Sequence, residues 1–327
     1  MSPFIPDVFT IQSPAQFEAV ALDIFQYQAA HVPLYEQFLK TLNVQSSKVT
    51  ALTDIPFLPI QFFRNHTIIS NQKTTEIVFS SSGTTGAKTS SHHVAETAIY
   101  KKSFRQCFTQ FYGPPSNYCV LALLPNYLQR EGSSLVYMAH DLISQSRHPL
   151  SGFYLNNYEA LAQQLQFLRA QQQPTLLLGV TYALLDLAEQ FPIHFPELTV
   201  METGGMKGER KEIVREQVHN ILRNAFGVNH IHSEYGMTEL LSQAYSKRDG
   251  LYKTPPWMKI LIREINDPYH YLNANETGGI NVIDLANIYS CSFIATQDLG
   301  KLHTNGSFEV LGRFDNSDLR GCNLMVE

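Results

Sequence analysis

The stretch Ser80-Ser81-Ser82-Gly83-Thr84-Thr85-Gly86-Ala87-Lys88 concentrates hydroxyls, glycines and one lysine. Glycines let backbone N–H groups come close to an anion, hydroxyls donate further hydrogen bonds, and the ammonium adds charge, so a polyphosphate is the natural guest. It is not a Walker A loop, because that pattern needs Gly and Lys adjacent and Ala87 separates Gly86 from Lys88. Standing alone, the same composition would equally suit a flexible turn.

A second stretch changes that balance. Glu234-Tyr235-Gly236-Met237-Thr238-Glu239 offers an aromatic plane, a permissive glycine, a hydroxyl and two carboxylates in close succession. Tyr235 could stack on a base, Thr238 could donate to a phosphate, and Glu239 supplies the hard oxygen that Mg²⁺ prefers. Taken by itself, Tyr235 also reads as a core aromatic.

The elements that must position these residues follow from hydrophobic periodicity. Residues 15–42 place Phe17, Val20, Ala21, Ile24, Phe25 and Tyr27 at helical spacing behind a Ser13-Pro14 start, which predicts a helical lead-in. Residues 76–79 read as a buried strand running into the Ser/Gly/Thr loop. Beyond it, strands at 118–124, 175–178 and 198–201 alternate with helices at 133–144, 182–190 and 209–226. That alternation predicts an α/β fold with a mainly parallel sheet covered by helices. In the glutamine-rich stretch 161–173, Leu161, Leu165 and Leu168 keep helical register, so its glutamines form a solvated face. From about residue 229 short β patterns take over at 258–265, 280–284, 292–296 and 308–311. The expected organisation is therefore an α/β portion with its helical lead-in over 1–228, and a β-rich portion over 229–327.

Composition narrows the class. With 44% hydrophobic and 16% charged residues the chain is expected to fold throughout, and a net charge of -5 gives no basic excess for holding nucleic acid. Cys107, Cys119, Cys291 and Cys322 are too scattered for a disulfide framework, which points to a reducing compartment. The first dozen residues do not read as a signal peptide, and the most apolar runs fall well short of the roughly 20 residues of a spanning helix. A soluble, cytoplasmic protein is expected.

Together the two chemistry-bearing stretches resemble the adenylate-forming superfamily, in which a Ser/Gly/Thr-rich loop and a Tyr-Gly-x-Thr-Glu stretch build the ATP site. Further segments fall in the superfamily's order. Thr203-Gly204-Gly205 occupies the place of the glycine pair that lies against the adenine. Thr296-Gln297-Asp298 resembles the Thr-Gly-Asp stretch, with Gln297 in place of glycine, and implies that Asp298 accepts hydrogen bonds from the ribose hydroxyls. Gly312-Arg313-Phe314-Asp315 resembles the hinge motif, with Arg313 near the nucleotide and Asp315 at the pivot. The resemblance implies ATP and Mg²⁺ as cofactors. It makes Ser82, Gly83, Thr84, Thr85, Gly86, Lys88, Gly204, Gly205, Glu234, Tyr235, Gly236, Thr238, Asp298 and Arg313 the nucleotide-binding set, with Glu239 on the metal.

Within the superfamily, Ile55-Pro56-Phe57-Leu58-Pro59, Glu202-Thr203-Gly204-Gly205, Asn281-Val282-Ile283-Asp284-Leu285-Ala286-Asn287 and Asp318-Leu319-Arg320-Gly321-Cys322-Asn323-Leu324 are similar to the acyl-protein synthetase (LuxE-type) family. That likeness implies activation of a carboxylic acid, a fatty acid in that family, to an acyl-adenylate. Transfer to Cys322 as a thioester would follow, and then delivery to an acyl-CoA-reductase-like or carrier partner. It also implies the fold of the superfamily's large domain with the mobile C-terminal lid largely missing, since the chain ends at Glu327 soon after Asp315. No lid lysine can then be named, and Lys88 and Arg313, with Lys207 and Lys301 behind them, are the cations available to the transferring phosphate.

Two other readings stay open: a ligase delivering the acyl group to coenzyme A, as phenylacetate-CoA ligases do, and a non-catalytic nucleotide- or acyl-binding subunit of a reductase complex. His92-His93 read as loop histidines, and His230 and His232 lack metal-site spacing. Cys107, beside Phe104, Phe108 and Phe111, reads as core, as do Cys119 and Cys291.

Overall fold

The computed structural model describes residues 7–81, 89–125, 132–205, 210 and 213–314. The chain divides into two compact units. One comprises Met1–Ile77, Ser90–Thr97 and Lys253–Glu327, the other Val78–Thr89 and Ala98–Tyr252.

In the second unit the predicted alternation becomes an open sheet. Strands Gly152–Tyr154, Cys119–Leu123, Thr175–Val180, Thr199–Thr203 and His232–Tyr235 lie side by side and parallel, and Ala244–Ser246 continues the sheet antiparallel. Every residue of Cys119–Leu123 and Thr175–Val180 is buried, as strands covered on both faces must be. Parallel neighbours need crossovers, which helices Ser134–Ser146, Tyr158–Ala170, Thr181–Gln190 and Arg215–Phe226 supply. Their starts follow local chemistry: the Ser133 and Asn157 side chains accept hydrogen bonds from the Val136 and Ala160 amides, each satisfying a donor the first turn leaves unpaired. On Tyr158–Ala170 the leucines at 161, 165 and 168 are buried, while Gln163 and Gln166 are exposed.

The first unit is an antiparallel meander, Met258–Arg263, Thr277–Asp284, Phe293–Leu302 and Phe308–Arg313, joined by the short parallel strand Leu58–Pro59. The N-terminal helix Pro14–His31 belongs to this unit. Its buried Gln28 donates to the carbonyls of Asn287 and Ile288 at 2.9 Å and accepts from the Ser292 amide at 3.0 Å. Phe293 completes the seam, with Phe25, Tyr35 and Phe57 around it at ring distances of 6.1–6.4 Å. Among the described residues no helix is long and apolar enough to cross a membrane.

Several sequence expectations are corrected. The lead-in is two helices, Pro14–His31 and Pro33–Thr41, because Pro33 cannot donate to the turn before it. The strand at 76–79 is Ile77–Ser80, and only Phe79 is buried, Val78 being 39% exposed. The strand expected to stop at Met201 runs on to Thr203, and the helix expected from 209 starts at Arg215. His92 and His93 lie in the strand Ser91–Val94, not in a loop. The strand expected over 292–296 is Phe293–Leu302, which puts Asp298 within a strand.

Candidate functional site

Open parallel sheets bind ligands at the carboxyl ends of their strands, where the connecting loops leave backbone groups unpaired. Two of the expected segments emerge there side by side, because Thr199–Thr203 and His232–Tyr235 are parallel neighbours with Met201 opposite His232 and Glu202 opposite Ser233. The first strand ends in the exposed pair Gly204-Gly205, with φ of 75° and 64°. Two successive left-handed residues strain any side chain larger than hydrogen, so glycine is needed at both. The second strand ends at Tyr235, and Gly236 leads into a turn in which the Leu240 amide donates to the Met237 carbonyl at 3.1 Å. Thr238 and Glu239 form the centre of that turn. Thr238 is half-buried, and Glu239 is 6% exposed.

Hydroxyl–carboxylate pairs fix the two strand ends. Thr203 Oγ1 donates to Glu234 Oε2 at 2.5 Å, and Thr181 Oγ1 donates to Glu202 Oε2 at 2.7 Å while approaching the Thr203 carbonyl at 3.3 Å. Burial alone would raise the Glu202 pKa, but His219, Thr181, Ser233 and the Arg215 cation outweigh it and hold the carboxyl below its ordinary range. Glu234, expected among the ligand-binding residues, has its carboxylate engaged within the protein. A side chain at Gly236 would run into it, so the glycine is required while Thr203 holds Glu234 in place. Tyr235 is buried with its ring edge-on to Tyr252 at 5.9 Å, and Arg215 lies 5.5 Å from the Tyr252 ring.

Thr181 and Glu202 were not among the expected site residues. The signal was available: a glutamate in the otherwise apolar run Val200-Met201-Glu202 must be buried, and a buried carboxylate must have partners.

Ser82, Gly83, Thr84, Thr85, Gly86 and Lys88 lie outside the described residues, as do Lys207, Asp315 and Cys322. The base of the loop is described. Phe79 is buried against Tyr100 at 5.3 Å and Tyr137 at 5.5 Å, and the Ser80 amide donates to the Gly132 carbonyl at 2.8 Å. Gly132 is another residue that sequence reasoning passed over.

In the other unit, Asp298 and Arg313 face each other across paired strands, with Arg313 Nε 3.3 Å from Asp298 Oδ1. Asp298 is 8% exposed, whereas the Arg313 side chain is 67% exposed. Lys301 pairs in register with Glu309 farther along the same strands.

Outside these segments the described cysteines and His92 belong to the core. Cys107, Cys119 and Cys291 are buried, and burial pushes the Cys291 thiol up to about 12. His92 is buried edge-on against Phe63 at 5.6 Å. Among the described residues no group of three or more His, Cys, Asp or Glu could hold a metal ion by itself. Glu239 nevertheless fits Mg²⁺, which commonly takes one or two carboxylates and fills its shell from phosphates and water.

His232 yields a pH prediction. Burial, reinforced by Lys247 and His230, pushes its imidazole down to about 4, and Tyr112 Oη lies 3.2 Å from its Nδ1. An unfolded histidine titrates near 6.5, so between these values the unfolded chain binds a proton that the folded one refuses. The contribution to stability is complete above pH 6.5 and is lost as pH falls toward 4. The loss amounts to about 2 kcal/mol at pH 5. Urea midpoints measured at pH 8 and pH 5 should drop more for the wild type than for His232→Asn, and equal drops would contradict the assignment.

No protein-family model and no curated protein matches the sequence. Solved structures do match. A 2-hydroxyisobutyryl-CoA ligase in the postadenylation state, in complex with 2-HIB-AMP, is similar over 97% of this chain and 73% of its own, at 13% identity and a TM-score of 0.67. An open conformation of that ligase with 2-HIB-AMP and CoA gives 96% and 82% coverage, 13% identity and a TM-score of 0.64. ATP-bound MatB from Rhodopseudomonas palustris is similar over 72% of this chain at 17% identity and a TM-score of 0.55; the aligned part spans about half, 47%, of MatB. At these identities the likeness establishes the α/β fold.

Proposed function

We propose that the protein activates a carboxylic acid with ATP and Mg²⁺. A carboxylate oxygen attacks the α-phosphorus, the bond to the β-phosphate bridging oxygen breaks, pyrophosphate leaves and an acyl-adenylate remains. The observation that carries this reading is the pair of loops at the carboxyl ends of neighbouring parallel strands, Gly204-Gly205 and Gly236 to Glu239, on a fold shared with ligases solved with ATP or an acyl-AMP. Supporting it, the other resembling segments follow in the superfamily's order along the chain.

Each residue has a task its chemistry suits. Gly204-Gly205 offers bare backbone to the adenine, Tyr235 borders the base, and the loop over 82–88 donates to the phosphates. Thr238 donates to a phosphate oxygen, and Glu239 would hold Mg²⁺, which neutralises phosphate charge when bound. Asp298 accepts from the ribose hydroxyls beside Arg313. The attacking carboxylate is already ionised near pH 7, so no general base is needed, and catalysis rests on positioning and charge stabilisation. Lys88 and Arg313 are the cations assigned to the transition state. In the second step a thiolate, on Cys322 or on an outside acceptor such as coenzyme A, attacks the acyl carbonyl and AMP departs. A fatty acid as substrate and a reductase-like partner as final acceptor follow from the LuxE-type likeness.

The test is ATP–pyrophosphate exchange across a panel of carboxylic acids. Exchange should depend on both the acid and Mg²⁺. ATP binding without exchange for any acid would favour the non-catalytic subunit instead.

A further inference from the structure

Asp298 sits in an irregular stretch of its strand. Against Thr277–Asp284 the pairing runs Gly279 to Leu299 and Asn281 to Ala295, so Thr296, Gln297 and Asp298 face Ile280 alone. A bulge of this kind redirects side chains and leaves ladder groups unpaired. Here Arg263, the last residue of Met258–Arg263, recovers them. Its Nη1 donates to the Ile280 carbonyl at 2.9 Å and to Asn281 Oδ1 at 2.7 Å, and its Nη2 donates to the Thr296 carbonyl at 2.7 Å. Thr296 Oγ1 donates to the same Ile280 carbonyl at 2.8 Å and accepts from the Asp298 amide at 3.1 Å. The Phe314 amide donates to the Gln297 carbonyl at 2.9 Å, and its ring lies 5.7 Å from Arg263 Cζ.

Arg263 is 7% exposed and has no carboxylate partner among the described residues. A buried guanidinium without a counter-charge is costly, and burial lowers its pKa accordingly. A methionine would fill similar space at lower cost but could not donate to the bulge carbonyls. What the charge accomplishes is therefore the fixed path of residues 296–298.

We infer that Arg263 is a positioning residue: through the Ile280 and Thr296 carbonyls it holds the bulge that aims Asp298, and so sets how tightly a ribose is held. The inference rests on the reading of Asp298 as the acceptor for ribose hydroxyls. Exchange assays on the full chain with ATP and with 2′,3′-dideoxy-ATP test both. The wild type should prefer ATP in kcat/KM by about tenfold or more, as expected for lost hydrogen bonds to a charged group. Asp298→Ala should erase that preference. Arg263→Met and Thr296→Val should each bring it below about threefold, with KM for ATP raised and KM for the acid unchanged. Combining Arg263→Met with Asp298→Ala should add nothing further to the loss of preference. A merely structural role would lower stability and leave the preference intact, and that result in either variant would overturn the inference. If Arg263→Met does not fold, the near-isosteric Thr296→Val decides. A wild type indifferent to the ribose hydroxyls would instead remove the reading of Asp298, and the inference with it.

Discussion

Glu239→Gln is expected to lower acid-dependent pyrophosphate exchange by a hundredfold or more, in line with losing several kcal/mol of charge stabilisation in a water-poor site. The amide keeps the shape and one acceptor oxygen but not the charge that a hard cation selects. Glutamine keeps the volume of the buried Glu239 side chain in its turn, and a urea midpoint measured beside the rate separates any cost to the fold from loss of the metal. The variant's activity should recover partly as Mg²⁺ is raised, whereas a structural defect would not respond to the metal. An unchanged rate across a magnesium titration would remove Glu239 from the proposed site.

The second large effect concerns the acyl acceptor. Wild type incubated with labelled fatty acid, ATP and Mg²⁺ should acquire a hydroxylamine-labile label that Cys322→Ser lacks completely, with adenylate formation retained by both. The other cysteines are poor acceptors on physical grounds. All three are buried, and burial raises the thiol pKa of Cys119 and Cys291, which keeps them protonated and unreactive. Arg313 and Arg320 lie near Cys322 in sequence, and positive charge would favour its thiolate. Equal labelling of both proteins would exclude Cys322. No labelling of either, with acyl-CoA formed on adding coenzyme A, would favour the ligase reading.

What the sequence made legible was local. Apolar runs at 118–124 and 175–178 announced the buried parallel strands Cys119–Leu123 and Thr175–Val180, and the loops that follow strands announced the candidate site, because periodicity and glycine placement are read over a few residues. What stayed hidden was long-range and polar. Gln28 looks like any solvated helix residue, yet its amide docks the first helix onto the segment at Asn287 to Ser292, so the N-terminal helix belongs with the C-terminal meander. The bulge at Asp298 arises from cross-strand pairing, which no short window contains. Arg263 resembles a strand-end surface cation until its three acceptors are seen. Thr181 and Glu202 bridge two separate strand ends for the same reason.

Isotope transfer from the acid to AMP tests the central claim most directly. The protein would be incubated with ATP, Mg²⁺, hydroxylamine and a carboxylic acid labelled with ¹⁸O in both carboxylate positions. Attack of the carboxylate on the α-phosphorus, followed by cleavage of the acyl carbon–oxygen bond, must leave one of the acid's oxygens on AMP. The account predicts AMP carrying a single ¹⁸O in amounts equal to the hydroxamate formed. Hydroxamate accompanied by unlabelled AMP, or by ADP and ¹⁸O-labelled phosphate, would contradict it.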